Sequence, residues 1–212
     1  MNKLTKLALG ACVAGSLSLS SALAVVIDFT GGTVTTVGSS NYYEENGFRV
    51  TSVGGLSSFG AYYGGGNNVI HTHWGLGDYG NVTAVEITKI GGGTFDLNYF
   101  ILTSNTMTGG GAASGTEQTY IRALDGSNAQ IGAAVLLPPE NWGLGTTTQI
   151  FLGSQFDAAT TVQFYVTNAV DCFGMDEFYI NEAAPGVPDS ASTSLLMLLG
   201  VAGLVVGLRR RN

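Results

Sequence analysis

The 212-residue sequence predicts an all-β protein, an antiparallel β-sandwich of jelly-roll type. Glycine occurs 32 times, which is about twice its ordinary usage, while aromatic and β-branched residues stay plentiful. Short runs of alternating apolar and polar residues are separated by Gly and Asn, as strands joined by tight turns require. No long stretch of the middle of the chain has the 3.6-residue period of an amphipathic helix.

Each apolar run is one predicted strand, and nine to eleven strands are expected in total. The cleanest alternation extends from Thr94 to Thr103, and it places the apolar side chains on one face, which is expected to be the core face. These side chains are Phe95, Leu97, Tyr99 and Ile101. The predicted strands are 25–29, 47–53, 82–90, 94–103, 118–124, 129–137, 149–152, 161–167 and 175–180.

Charge excludes some partners. Between Val25 and Gly186 the chain has three basic residues, Arg49, Lys89 and Arg122, against 14 acidic ones, a formal charge of −11. Such a surface repels nucleic acid and anionic lipid, because binding to either depends on neutralising phosphates. The same charge suits cations, calcium in particular.

Residues 1–24 are predicted to be a secretory signal peptide. Two lysines precede an apolar stretch, and Ala22 and Ala24 form an A-x-A cleavage site, so the mature chain is expected to begin at Val25. One cysteine then remains, Cys172, which cannot form an internal disulfide. Its apolar neighbours predict a buried thiol.

The other end of the sequence predicts a membrane anchor. Residues 191–208 carry no charge, and a helix of this length spans about 27 Å, close to the hydrocarbon thickness of a bilayer. The basic tail 209–212, with Arg209, Arg210 and Arg211, is expected on the cytoplasmic side. The globular domain, 25–183, is therefore expected outside the membrane, joined to the helix by a Pro-containing linker, 184–190.

The tail also resembles the PEP-CTERM type of sorting signal, in its VPDSG-CTERM variant. Val187, Pro188, Asp189 and Ser190 supply the motif, followed by a short apolar helix and an arginine cluster, with Ala191 where the pattern has glycine. The resemblance implies an exported protein of a Gram-negative-type bacterium. It also implies cleavage by an exosortase-type membrane protease and transfer to the surface or extracellular matrix, with exopolysaccharide. The alternative is an ordinary single-span anchor that is never processed.

Two segments of the globular domain resemble strands of galactose-binding-like jelly rolls, a build that many carbohydrate-binding modules have. They are Asn-Gly-Phe-Arg-Val, 46–50, and Phe-Gly-Met-Asp-Glu-Phe-Tyr-Ile, 173–180. The resemblance implies a structural calcium ion between the first and last strands, at Asp28 and Asp176. The alternative is that both are ordinary strand-end carboxylates.

The only two histidines, His71 and His73, form a second candidate metal site. At i and i+2 on a strand they point the same way and can chelate a metal. A catalytic zinc needs a third protein ligand, which no fixed spacing supplies, although Asp78 is a candidate in the folded chain. The residues favour a solvated or turn-capping histidine pair.

A sugar-binding site would use aromatic rings beside amide and carboxylate groups that hydrogen-bond to hydroxyls. Most candidate rings lie in glycine-rich segments, where a core role is less natural. The candidates are Tyr42, Tyr43, Tyr62, Tyr63, Trp74, Tyr79 and Trp142, of which Tyr62, Tyr63, Trp74 and Trp142 form the preferred set.

The sequence predicts no catalysis. It has no Gly-x-Ser-x-Gly elbow, zinc-binding helix motif or phosphate loop. The adjacent acidic pairs 44–45 and 176–177 point to opposite faces of a strand, so neither makes a two-carboxylate site by itself. The prediction is a surface or matrix protein associated with exopolysaccharide or biofilm. The alternatives are a carbohydrate-binding module with a specific glycan ligand and, third, a glycan-processing enzyme.

Overall fold

The protein is a sandwich of two antiparallel sheets, which confirms the predicted fold class. The computed structural model describes residues 23–60, 62–63, 69–76, 80–143 and 147–182. Its strands are β1 Val25–Ile27, β2 Thr33–Val37, β3 Ser40–Glu45, β4 Phe48–Val53, β5 Ser58–Gly60, β6 Val69–His73, β7 Ala84–Lys89, β8 Leu97–Thr106, β9 Thr119–Leu124, β10 Gln130–Leu136, β11 Thr148–Phe151, β12 Thr161–Val166 and β13 Cys172–Ile180, with one 3₁₀ turn, Ser154–Phe156.

Both ends of the sequence lie outside the described residues. These are the sorting motif 187–190, the apolar segment 191–208, the arginines 209–211 and the signal peptide up to Ala22. Within the described part of the chain, no helix is long and apolar enough to cross a membrane.

The two sheets divide the strands unequally. The first has six strands in the order β11-β8-β13-β6-β5, with β1 also paired to β13. The second has seven strands in the order β10-β9-β12-β7-β4-β3-β2. The inner faces of both sheets meet in one aromatic core, in which the Phe100 ring packs edge-on against Phe164 at 5.2 Å between centroids. Outward-facing side chains of both sheets are therefore available to form surface sites.

Strand β8 departs from the predicted alternation. Phe95 and Leu97 face the core as expected, but the next core residues are Phe100 and Leu102, while Tyr99 lies outside the core cluster. In β13, Tyr179 and Ile180 are neighbours, but their Cα partners in β8 are Tyr99 and Leu97, so β8 has one extra residue, a β-bulge. The side chains of β8 after this bulge therefore lie on the face opposite to the one that the alternation predicts. The expectation that Tyr99 and Ile101 share the core face was therefore wrong.

Four strands have no counterpart among the predicted runs: β2, β3, β5 and β6. The hairpin of β2 and β3 is rich in Thr, Tyr and Glu, and β2 lies at the sheet edge with most of its side chains exposed. Strand β6 has the sequence Val-Ile-His-Thr-His and is almost wholly buried. Hydrophobic alternation does not predict these strands, because it detects only strands with one apolar and one polar face, and these strands are rich in polar side chains.

Candidate functional site

The outer face of the seven-stranded sheet carries a row of polar and aromatic side chains. Tyr42, Thr51, Glu86, Gln163 and Arg122 are successive Cα partners across β3, β4, β7, β12 and β9. All five are half-buried, with their backbones in the sheet and their side chains directed outward. With neighbouring strands about 4.8 Å apart, the row is about 19 Å long. We call these five residues, with Tyr120 and Tyr165 beside them, the polar–aromatic face.

Hydrogen bonds fix the side chains at one end of the polar–aromatic face. Arg122 Nε donates to Gln163 Oε1 at 2.8 Å, and Gln163 Nε2 donates to Glu86 Oε1 at 2.7 Å. The Arg122 guanidinium lies 4.8 Å from the centroid of the Tyr165 ring, and Tyr165 stacks on its Cα partner Tyr120 at 5.6 Å. The guanidinium, amide, carboxylate and two rings therefore form one ordered group.

The other end of the face is built in the same way. Arg49 lies over the Tyr42 ring, with its guanidinium carbon 4.2 Å from the centroid. The same guanidinium donates from Nε to Glu44 Oε1 at 2.8 Å. Two of the three basic residues between positions 25 and 186, Arg49 and Arg122, thus lie on one surface of a strongly acidic chain.

This surface offers both kinds of contact that sugars need. Aromatic rings give an apolar area for the C–H face of a pyranose, and planar polar groups form directed hydrogen bonds with hydroxyls. Because these groups are already held by one another, little side-chain entropy is lost when a ligand binds. Sequence reasoning included only Tyr42 among its candidates, since the other members come from strands far apart in the chain.

A second group of functional side chains lies on the outer face of the six-stranded sheet. His71 and His73 on β6 alternate with Ile70 and Trp74 of the core, so both point away from the core. The prediction that they point the same way is confirmed. On the neighbouring strand β13, Cys172 is the Cα partner of His73, and Gly174 is the Cα partner of His71. Cys172 Sγ lies 3.7 Å from His73 Nδ1. We call His71, His73 and Cys172 the His–Cys cluster.

Aromatic rings pack on the His–Cys cluster. The Tyr62 ring stacks on the His71 imidazole with 3.7 Å between centroids, and the Tyr62 hydroxyl lies 3.0 Å from His73 Nε2. The Tyr63 hydroxyl lies 3.0 Å from His71 Nδ1 and 3.0 Å from Ser104 Oγ. Trp142 packs edge-on against both tyrosines, at 6.4 and 5.0 Å. The structure thus brings together three of the four preferred sugar-site residues, with both tyrosine hydroxyls directed at histidines.

Burial sets the electrostatics of the His–Cys cluster. His71 is 1 % exposed, and this burial, with a smaller contribution from His73, lowers the pKa of His71 to about 3. Burial and the adjacent Asp171 carboxylate raise the pKa of the Cys172 thiol to about 12. The predicted buried thiol is confirmed. The interpretation of a solvated or turn-capping pair was wrong for His71, because the rings stacked on it exclude water.

Asp171 is the buried carboxylate next to the His–Cys cluster. Its Oδ1 lies 3.2 Å from His73 Nδ1, and its Oδ2 accepts a hydrogen bond from the Gly109 backbone N–H at 3.0 Å. The carboxylate thereby fixes the orientation of the His73 ring. Asp78, the third ligand considered from sequence, lies outside the described residues, whereas Cys172 reaches the pair from 99 residues away.

The structure places Trp74 in the core and not at a ligand site. Its side chain is 0 % exposed and packs against Phe173 with 5.4 Å between ring centroids. A fully enclosed ring has no free face on which a sugar can stack, which removes Trp74 from the preferred set.

The predicted calcium residues lie where the first and last strands pair. Asp28 follows β1, whose Ile27 is the Cα partner of Phe178 on β13. A hydrogen bond from the Thr30 hydroxyl lowers the pKa of Asp28, whereas burial, with the charges of Glu177 and Asp28, raises the pKa of Asp176. Within the described residues, the His–Cys cluster is the one group of three His, Cys, Asp or Glu ligands, so further oxygens at Asp28 and Asp176 would have to come from hydroxyls, amides, backbone carbonyls or water.

Among known proteins, this chain is similar only in structure, and only distantly, to the solved structures given below. No family model matches the chain, and no curated protein matches it. Among solved structures, a mutant of the family 29 carbohydrate-binding module CBM29-2 is 14% identical, with 79% of this chain and 99% of that one covered and a TM-score of 0.42. The CBM22-1 xylan-binding domain of Paenibacillus barcinonensis Xyn10C is 13% identical over 76% and 95%, with a TM-score of 0.33. The lectin binding domain of Lectinolysin is 13% identical over 54% and 72%, with a TM-score of 0.34. At these identities and TM-scores, the likenesses do not indicate a function for this chain.

Proposed function

We propose that this protein is a non-catalytic carbohydrate-binding protein whose polar–aromatic face holds an extracellular polysaccharide. The observation that carries the proposal is the ordered row of ring, guanidinium, amide and carboxylate groups across five strands. An open sheet surface of about 19 Å suits several consecutive units of an extended chain. A formal charge of −11 between residues 25 and 186 favours a neutral glycan over a polyanionic one.

Retention by immobilised glycans tests this proposal. The full chain in detergent is run through gels containing a panel of neutral and acidic polysaccharides, and mobility is compared with and without each one. We expect retardation by at least one neutral polysaccharide. Tyr165→Ala is expected to weaken this binding about five- to thirty-fold, because one lost stacking contact of this kind costs about 1–2 kcal/mol.

Two variants localise the binding site. Phe151→Ala removes another exposed aromatic ring, on β11 of the other sheet, and is the matched control that should leave retention unchanged. Trp142→Ala tests the alternative sugar site at Tyr62, Tyr63 and Trp142. If Trp142→Ala loses retention and Tyr165→Ala keeps it fully, the glycan binds at Tyr62, Tyr63 and Trp142 and not at the polar–aromatic face. Absence of retention by every polysaccharide would overturn the proposed function.

We also infer that the protein is exported and sorted by an exosortase-type protease. The signal-like segment 1–24 and the Val-Pro-Asp-Ser motif at 187–190, followed by an apolar stretch and three arginines, support this proposal. A glycan-binding domain released into exopolysaccharide would then be part of the surface matrix. The intact mass of the protein recovered from its host is expected to match a chain that begins at Val25 and ends near residues 187–190. A mass that still includes Arg211 would contradict cleavage.

Calcium between Asp28 and Asp176 stays a prediction. Its support is that Asp28 follows β1 where β1 pairs with β13, the strand of Asp176, and that the charge of Asp28 adds to the burial that raises the pKa of Asp176. We expect Ca²⁺ to raise the thermal unfolding temperature of the wild type and to have no such effect on Asp176→Asn. An unchanged unfolding temperature in the wild type would contradict the prediction.

A further inference from the structure

The His–Cys cluster has the composition and spacing of a metal site. One ring nitrogen of each histidine and the sulfur of Cys172 all lie within 4.8 Å of one another. Metal–ligand bonds of about 2.0–2.3 Å place tetrahedral ligand atoms about 3.5 Å apart. The distance of 3.7 Å between Cys172 Sγ and His73 Nδ1 already matches that value.

His71 gives independent evidence that a ligand belongs here. Its Nδ1 faces the Tyr63 hydroxyl, but its Nε2 is buried and has no hydrogen-bond partner among the described residues. A buried polar group without a partner destabilises the folded state, so an unpartnered nitrogen of this kind is rare in proteins. This unpartnered ring nitrogen, on a side chain that is 1 % exposed and lies beside a histidine and a cysteine, can therefore serve as a metal ligand.

The surrounding residues are arranged like the outer shell of a metal site. A ligating histidine normally uses its other ring nitrogen for a hydrogen bond that fixes the ring. Tyr63 supplies such a contact to His71 Nδ1, and Tyr62 supplies one to His73 Nε2. Asp171 Oδ1 lies 3.2 Å from His73 Nδ1, the nitrogen that also faces Cys172 Sγ, so with an ion at this nitrogen the carboxylate can complete the coordination as a fourth ligand.

The donor set selects the kind of metal. Two imidazoles and a thiol are soft to borderline ligands, which favour Zn²⁺ and copper and disfavour Ca²⁺ and Mg²⁺. Hard cations need several oxygen ligands, whereas the oxygens that contact the two histidines among the described residues are those of Asp171 and of the Tyr62 and Tyr63 hydroxyls. This site is therefore chemically distinct from the predicted calcium position at Asp28 and Asp176.

We propose that His71, His73 and Cys172 bind one thiophilic transition-metal ion, Zn²⁺ in the first instance, on the outer face of the six-stranded sheet. Three protein ligands hold the ion, with Asp171 or a water molecule in the remaining position. The proposal is independent of glycan binding, because the polar–aromatic face belongs to the other sheet.

Metal titration of the full chain tests the proposal. The protein carries Cys12→Ser, so that Cys172 is its only thiol, and is titrated with Co²⁺ and then with Zn²⁺. We expect one equivalent of Co²⁺ to give a thiolate-to-cobalt charge-transfer band, which Zn²⁺ abolishes by displacement. Zn²⁺ is also expected to raise the thermal unfolding temperature, and the rise should grow with the logarithm of the Zn²⁺ concentration once that concentration exceeds Kd.

Variants assign the ligands. Cys172→Ser should lose the charge-transfer band, and His73→Gln should weaken Zn²⁺ binding at least about tenfold. Asp125→Asn, in an exposed turn between β9 and β10, is the control that keeps full binding. If the Cys12→Ser protein shows no charge-transfer band and no Zn²⁺-dependent rise in unfolding temperature, the proposal is overturned. Because this result comes from folded protein with all three ligands present, it does not depend on whether the variants fold.

Discussion

At the scale of single residues, Glu45 is the carboxylate that holds the start of the domain. Its Oε2 accepts the backbone N–H groups of Asp28 and Phe29, each at 3.0 Å, and its Oε1 accepts that of Gly31 at 3.1 Å. Phe29 has a φ of 57°, a left-handed conformation that a bulky residue rarely adopts unaided. The sequence singled out Asp28 in this turn, but the organising group is the more buried Glu45.

Glu45→Ala is therefore expected to lower the free energy of unfolding by about 2–3 kcal/mol, because it leaves three N–H groups without their charged acceptor. Urea denaturation monitored by circular dichroism measures the change. Glu44→Ala is the matched control, since Glu44 forms only a partly exposed ion pair with Arg49, which is worth less than about 1 kcal/mol. Equal losses in the two variants would contradict this role for Glu45.

Glu117 should make stability depend on pH. Burial raises the pKa of Glu117, but hydrogen bonds from the Ser114 and Gly115 backbone N–H groups and the Ser114 hydroxyl outweigh it, and the pKa lies below its ordinary value. The unfolded chain then takes up the proton first as the pH falls. The contribution is full above about pH 5, near the ordinary pKa of a glutamate, and is lost as the pH falls through the lower folded value.

We expect Glu117→Gln to be less stable than the wild type at pH 7, by about 1–3 kcal/mol, and to lose less of its stability between pH 5 and pH 3. Urea titrations at a series of pH values measure both effects. Parallel stability–pH curves for the two proteins would show that Glu117 does not contribute to the acid sensitivity.

At the scale of elements, strand β13 depends on a glycine. A Cβ at Gly174 would collide with the Tyr63 hydroxyl, and would come within 2.6 Å of Thr103 Oγ1. Gly174→Ala is expected to destabilise the protein by about 1–3 kcal/mol and to displace Tyr63 from His71. Urea denaturation measures the first effect. Tryptophan fluorescence, compared in a Trp74→Phe background so that Trp142 is the only emitter, reports the second, since Trp142 packs on Tyr63.

Gly126→Ala is the control for that variant. Gly126 lies in the turn between β9 and β10, where an added Cβ would make only an ordinary contact with Thr160, at 3.9 Å. We expect its stability and fluorescence to match those of the wild type. A tolerated Gly174→Ala with unchanged fluorescence would mean that Tyr63 does not need this close approach.

Strands with one apolar face could be predicted from the sequence, and those with polar or aromatic residues on both faces could not. Val162 and Phe164 of β12 face the core as expected, because their alternation is complete. The bulge in β8 leaves no signature in the alternating pattern, so Tyr99 was assigned to the wrong face. The sequence also does not reveal which strands pair across a sheet, so Cys172 could not be predicted to be the neighbour of His73.

At the scale of the whole molecule, the two proposed sites lie on opposite outer faces of the sandwich. The polar–aromatic face belongs to the seven-stranded sheet, and the His–Cys cluster belongs to the six-stranded one. Distant sites without shared partners act additively, so we expect Cys172→Ser to retain full glycan binding and Tyr165→Ala to retain full Zn²⁺ binding. The same gel retention and cobalt titration, made on both variants, check this. Loss of both functions in either variant would mean that the sites are coupled or that the variant is misfolded.

The pairing of β1 with β13 closes the chain on itself. Val25 is the Cα partner of Ile180, so the described domain starts and finishes side by side in the six-stranded sheet. A circular permutant that joins residue 182 to residue 23 through a few glycines, and opens the turn at 126–128, should therefore keep every strand pairing. In the natural chain β1 is synthesised first and β13 last, whereas in the permutant the two strands would leave the ribosome one after the other. The permutant would therefore form this strand pair early in synthesis and not at its end.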